Sequence, residues 1–238
     1  MSDVQQDKVR NNLLRAMSAE TFQRLQARLE RIEMPRSFQL SSPNQPATHV
    51  YFPEYGIASV VARSPEGQHT EIGVLGWDGV SPTSLVLDAV SDPFAIFMQV
   101  EGAGFRLRSE DLCDLIEEDR ALHGLLMRYA QALSVQSAYT ALSNAVHHIH
   151  ERLARWILMC HDRTDGNEIS LTHEFLSIML AVRRPSVTTA LHVLEGNKLI
   201  YSERGVIIIR DRAALEAFAK DAYGECEKEY ERLIGIKL

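Results

Sequence analysis

From residue 109 to residue 161 the chain has no proline and one glycine, Gly124, while residues 33–108 are interrupted every few positions by turn-forming clusters. Proline and glycine are the residues that end or weaken helices, so the first stretch reads as one or two long helices. The second alternates short Val, Ile, Phe and Tyr runs with SSPNQP, PEYG, SPEGQ, GWDG, VSDP and EGAG. Turn signals about 8 to 12 residues apart predict a small β-sandwich or barrel. Ahead of it, residues 8–31 place Val9, Leu13, Leu14, Met17, Phe22, Leu25 and Leu29 at helical spacing, and Ser18 is the N-cap that divides two short helices.

A chain of 238 residues can bury one large core or two small ones, and two is the starting expectation. Its apolar runs, such as GVIIIR and RWILMC, fall far below the roughly 20 residues of a membrane span. The polar N-terminus MSDVQQDKVRNNLL carries no apolar signal core, so a cytoplasmic protein without a membrane partner is expected. Cys113, Cys160 and Cys226 lie far apart and form no metal-ligand spacing. The net charge of -7 is unevenly spread: residues 151–212 carry 9 Lys+Arg against 8 Asp+Glu, and the acid excess lies outside them. That segment is therefore permissive for a polyanion.

Within the long helical stretch Leu122, Leu126, Tyr129, Leu133, Gln136 and Thr140 recur at spacings of four and three, the a/d seam of a coiled coil. A helix packed on its own domain would show such a stripe too. The polar Gln136 and Thr140, of a kind that sets register and partner number, favour a homodimer contact. Further on, His147 and His150 are three apart and would share a helix face, as metal ligands need. Histidines at a helix junction are more often surface or capping residues, and no metal or other cofactor is expected.

After TDGN, EISLT reads as a short strand and THEFLSIML as a helix capped by Thr172, with Glu174 in its first turn. A second helix over residues 184–195 ends at Gly196, and KLIYSERGVIIIRD forms a hairpin around Glu203, Arg204 and Gly205. Helix, turn, helix, hairpin is the order of a winged helix-turn-helix, whose second helix offers its first turns to the DNA major groove. Arg183 and Arg184 bring guanidinium forks for phosphate or guanine; Ser186, Thr188 and Thr189 bring hydroxyls and a methyl that meets thymine. Pro185 is tolerated in the first turn, where its missing N–H has no helical partner. Val187, Leu191 and Leu194 face the core.

With these motifs the chain resembles the Crp/Fnr superfamily of bacterial transcription regulators. THVYFPEYGIASVVA and TEIGVLGWDG resemble its β-roll effector domain, residues 109–148 its dimerisation helix, and ERLARWILMCHDR onward its DNA-binding domain; LTHEFLSIMLAVRRPSVTTALHVLEGNKLI is the most specific part. The resemblance implies an α+β protein: a jelly-roll-like, cyclic-nucleotide-binding-type β-roll with its leading helices at residues 1–108, a dimerisation helix and hinge at 109–146, and a winged helix-turn-helix at 147–238. It implies Thr172 and His173 near phosphates, Arg184, Ser186 and Thr189 facing bases, Arg204 at the wing tip, a homodimer on a two-fold symmetric site in double-stranded DNA, and RNA polymerase as a partner. Where the catabolite activator has an Arg-Glu pair and a further Arg, this chain has Arg184, Pro185 and Thr189, so a different half-site is expected.

The family holds cyclic nucleotides with a Gly-Glu pair and an Arg-Ser or Arg-Thr pair. Residues 76–100 contain no Arg or Lys, so cyclic AMP is not expected, and the effector is unknown. The cysteine cluster that would bind iron-sulfur is also missing from the N-terminus. Glu71, Asp78 and Asp88 stand in the β-rich half without a nucleophile elbow, phosphate loop or HExxH motif; they read as solvated surface, and no enzyme is expected. The alternatives are a ligand-independent regulator and a β-roll interaction module with little DNA binding.

Overall fold

The computed structural model describes residues 4–238. Two short helices, α1 (Asn12–Ala16) and α2 (Ala19–Gln26), precede seven strands: β1 (Glu30–Met34), β2 (Gln39–Ser41), β3 (His49–Pro53), β4 (Ile57–Arg63), β5 (His69–Leu75), β6 (Ala95–Val100) and β7 (Gly102–Arg108). They pair antiparallel in two sheets, ordered β1-β7-β3 and β2-β6-β4-β5. Successive strand residues point to opposite faces. In β3, Tyr51 joins the roll interior of Met34, Leu40, Ala58, Val60, Leu75, Ile96 and Met98, while Val50 and Phe52 point outward with Phe105 and Leu107 to the helices. Strand β1 begins at Glu30, three residues before the sequence texture changes. Pairing with β7, including Glu30 opposite Arg106 and their 2.6 Å ion pair, extends it beyond its local propensity.

The stretch without breakers forms α3 (Ser109–Glu118), α4 (Arg120–Val146) and α5 (Ile149–His161). Asp119 interrupts the helical φ/ψ and caps α4, its Oδ1 accepting from the Ala121 and Leu122 amides at 3.0 Å. Helix α4 is 27 residues, about 40 Å long. It stops where His147 and His148 turn extended, and Glu151 Oε2 accepts from the His148 amide to start α5.

The stripe assigned to a dimer contact turns inward instead. Leu122, Leu126 and Tyr129 are buried with Leu13, Leu14, Phe105 and Leu107 of the same chain. The Tyr129 hydroxyl lies where a Cβ on Gly79 would come within 2.0 Å of it, and Gln136 Oε1 accepts from the Val74 amide at 2.7 Å beside Gly73. Leu133 also packs at Gly73, and Thr140 donates to the Gln136 carbonyl of its own helix. The expectation of a partner contact is corrected for Leu122, Leu126, Tyr129 and Gln136, which the same chain buries because two glycines let α4 approach the roll closely; Leu133 and Thr140 are half-buried.

The C-terminal part contains β8 (Glu168–Ser170), α6 (His173–Met179), α7 (Arg184–Gly196), β9 (Ile200–Glu203), β10 (Val206–Ile209) and α8 (Arg212–Ala219), with a sheet ordered β8-β10-β9. Its core gathers Leu153, Ile157, Leu176, Leu191, Leu194, Ile207 and Leu215, and reaches Ile57 and Val74 of the roll. A last helix, α9 (Glu225–Ile234), leaves this unit and packs along α4, with Tyr230 and Ile234 in the N-terminal apolar cluster.

Candidate nucleic-acid interface

Thr172 caps α6, its Oγ1 accepting from the Phe175 amide at 3.3 Å. Leu176 and Met179 turn inward, and the chain reverses through Ala181, which takes φ +50. Arg183 is the N-cap of α7 and Pro185 stands in its first turn, as the missing N–H allows. Val187, Ala190, Leu191 and Leu194 are buried, which fixes the rotation of α7. The opposite side therefore presents Arg183, Arg184, Ser186 and Thr189 to solvent, with Thr188 half-buried. The hydroxyls of Thr188 and Thr189 donate to the carbonyls four residues back, Arg184 and Pro185, leaving their methyls and oxygen lone pairs available.

His173 is exposed at the start of α6 and Thr172 is half-buried. Arg204 is 92 % exposed at the tip of the β9–β10 hairpin, where it and Gly205 both take positive φ, as a tight two-residue hairpin turn requires. An ion pair of 3.3 Å joins Arg184 to Glu174 across the two helices, both well exposed. Such a surface pair is weak, so a phosphate or guanine competes for the fork at little cost. The structure thus sets the eight residues of the sequence prediction around one helix pair and its hairpin.

His147 and His150 part company. His147 lies between Ser143 Oγ (3.1 Å) and Asp221 Oδ1 (3.2 Å), whereas His150 packs against His148 and Phe218. No group of three or more His, Cys, Asp or Glu among the described residues is arranged to hold a metal ion. Nor is any helix among them long and apolar enough to cross a membrane.

Behind the exposed face lies a buried polar seam that the sequence reading missed. Asp78, just after β5, receives Arg163 Nε and Nη2 at 2.9 and 2.7 Å, both side chains almost wholly enclosed. Burial works against the charge of Arg163, but the Asp78 carboxylate overrides it and holds the guanidinium protonated. Glu71 Oε1 accepts from Trp156 Nε1 at 2.7 Å, while its Oε2 has no protein partner. Burial pushes the Glu71 carboxyl up to about 8, with Ser59, Arg155 and Arg163 opposing. Both acids are 4 % exposed or less, which corrects their reading as solvated carboxylates. The available signal was the alternation in TEIGVL, where Glu71 is in phase with the buried Gly73 and Leu75. Asp88, by contrast, is exposed.

A β-roll, a long helix and a winged helix-turn-helix with an open cationic edge make a two-part architecture. Residues 151–218 match the Crp-like helix-turn-helix domain. The chain is similar to FixK2 of Bradyrhizobium japonicum, with 15% identity, TM-score 0.67, and coverage of 80% of this chain and 96% of that one. It is similar to a CRP-family transcriptional regulator of Thermus thermophilus, at 17% identity, TM-score 0.64, and 80% and 96% coverage. It is likewise similar to the c-di-GMP responsive global regulator CLP of Xanthomonas campestris, at 15% identity, TM-score 0.63, and 82% and 100% coverage. No curated protein matches the sequence. The chain has the Crp/Fnr regulator fold and carries a Crp-like helix-turn-helix domain.

Proposed function

We propose that the protein is a homodimeric transcription regulator that reads a two-fold symmetric DNA site through α7, with Arg184, Ser186 and Thr189 at base edges, Thr172, His173, Arg183 and Thr188 at or near the backbone, and Arg204 on the wing. The observation that carries this reading is the open edge of α7, whose rotation is fixed by its buried face while Arg183, Arg184, Ser186 and Thr189 stay exposed. The second copy would meet α4 on its outward side, not on the inward seam. There Gly124, Met127, Gln131, Ser134, Ala138, Ala141 and Ala145 alternate at spacings of three and four, exposed apart from the half-buried Gly124. Small side chains at coiled-coil spacing suit close approach of an identical helix.

Two observations favour a regulator that needs no cyclic nucleotide. Residues 76–100 supply no cation for a phosphate, and the gap between roll and α4 is occupied by Tyr129 and Gln136 of the chain itself. Selection from random duplex pools tests the proposal. A symmetric motif should be enriched, with binding that weakens steeply as salt rises through counterion release; a pool that shows no enrichment contradicts it.

A further inference from the structure

The matched DNA-binding domain ends at residue 218, but the chain continues through α9, and this last helix touches three parts of the molecule. Cys226, Tyr230 and Ile234 lie four residues apart on its buried face. On the roll, the Tyr230 hydroxyl donates to the Asp78 carbonyl at 2.7 Å. On the long helix, Ile234 packs with Leu126 and Tyr129, and Arg128 Nε donates to the Leu233 carbonyl at 2.9 Å. Toward the DNA-binding unit, Cys226 Sγ accepts from Arg155 Nη2 of α5. Asp78 is the junction, since its carboxylate holds Arg163 at the end of α5 while its carbonyl holds Tyr230.

None of Thr172, His173, Arg183, Arg184, Ser186, Thr189 or Arg204 belongs to these contacts; they stay on the open edge. The helix therefore ties the DNA-binding unit down without covering its reading face. The cavity beside it, of about 10 Å³ and bordered by Asp78, Tyr129, Cys226 and Tyr230, leaves room for about one water and for no organic effector.

We propose that α9 is a built-in effector: a tethered segment of the chain that holds the DNA-binding unit against the roll and α4 in its DNA-competent arrangement, so that operator affinity requires no small molecule. The proposal rests on the DNA-binding reading above. Tethering keeps the local concentration of the helix at about the millimolar level, so its seat is filled without a diffusible ligand. Fixing the unit in advance removes part of the ordering cost that DNA would otherwise meet on binding.

The test uses the full chain on its selected operator, with affinity measured by fluorescence anisotropy and amide exchange followed over residues 74–80 and α5. The double variant Tyr230→Ala, Ile234→Ala should speed exchange in both segments and weaken operator binding at least tenfold. A synthetic peptide of residues 220–238 in excess should restore affinity, a rescue that a purely structural helix would not give. Tyr230→Phe, which keeps the packing and loses one hydrogen bond, should weaken binding about threefold. An affinity unchanged within twofold when exchange reports α9 displaced overturns the proposal, as does a rise in affinity. If the double variant does not fold, unchanged affinity in Tyr230→Phe overturns it. Failure of the wild-type chain to enrich any DNA motif would sink the DNA-binding reading, which is a different result.

Discussion

Helix α4 has two stripes at coiled-coil spacing, and they have opposite fates. The inward one holds the large side chains Leu122, Leu126 and Tyr129, each 2 % exposed or less; the outward one holds small residues, with Met127 and Leu142 beside or among them 44 % and 50 % exposed. Periodicity detects both, but it does not say which stripe the chain's own roll covers. Apolar volume fills a core that has no other contents. Small residues on the free side allow two helix backbones to come close. The inward stripe therefore belongs to folding, and the outward one is the face we propose for assembly.

A charge placed on each side of α4 should have opposite consequences. Leu126→Asp buries a carboxylate without a partner among Leu13, Leu14 and Tyr129, and should cost at least about 4 kcal/mol in urea unfolding. Asp78→Asn, beneath the same stripe, takes from the enclosed Arg163 its hydrogen-bonded carboxylate and should cost about 3 to 5 kcal/mol. Persistent wild-type stability in both would mean that the inward face is not the one the fold depends on.

Glu71 gives a pH-dependent version of the same test. Its carboxyl, near 8 in the folded chain against an ordinary 4.5, keeps a proton that the unfolded chain releases. Its contribution to stability is thus complete below about pH 4.5 and is lost as pH rises towards about 8. Glu71→Gln has no proton to lose and can still accept from Trp156. The variant should gain on wild type steadily across that window, by an amount on the order of a few kcal/mol at its upper end, followed by thermal unfolding at stepped pH. A constant difference between the two proteins would mean that Glu71 stays ionised in the fold.

On the outward side, Ala138→Glu should change the stability of the chain by less than about 0.5 kcal/mol. It should instead shift sedimentation from dimer towards monomer. Loss of folding there, or an unchanged dimer, would put the partner helix elsewhere.

Much of the architecture was legible because it rests on local signals. Turn clusters marked the roll, Ser18 and Thr172 are the caps their positions suggest, and Val187, Leu191 and Leu194 turn to the core. The same holds for the exposed start of α7, a charged helix start between a helix and a hairpin. What local signals could not supply were partners distant in sequence: Asp78 meets Arg163 85 positions away and Tyr230 152 positions away. Gly73 and Gly79 carried no pattern that announced a helix lying against them. Without those contacts, the larger apolar stripe of α4 looks like the one left for a partner.

The base-reading role proposed for α7 is tested most directly by comparing wild type and Arg184→Ala on a panel of duplexes, each altered at one position of the selected site. A loss of about 1 to 3 kcal/mol is expected, with relaxed discrimination at one base pair, repeated at its symmetry mate in the other half-site, whose centre lies roughly 34 Å away. Uniform weakening at all positions, no change, or an effect in one half-site alone would contradict it.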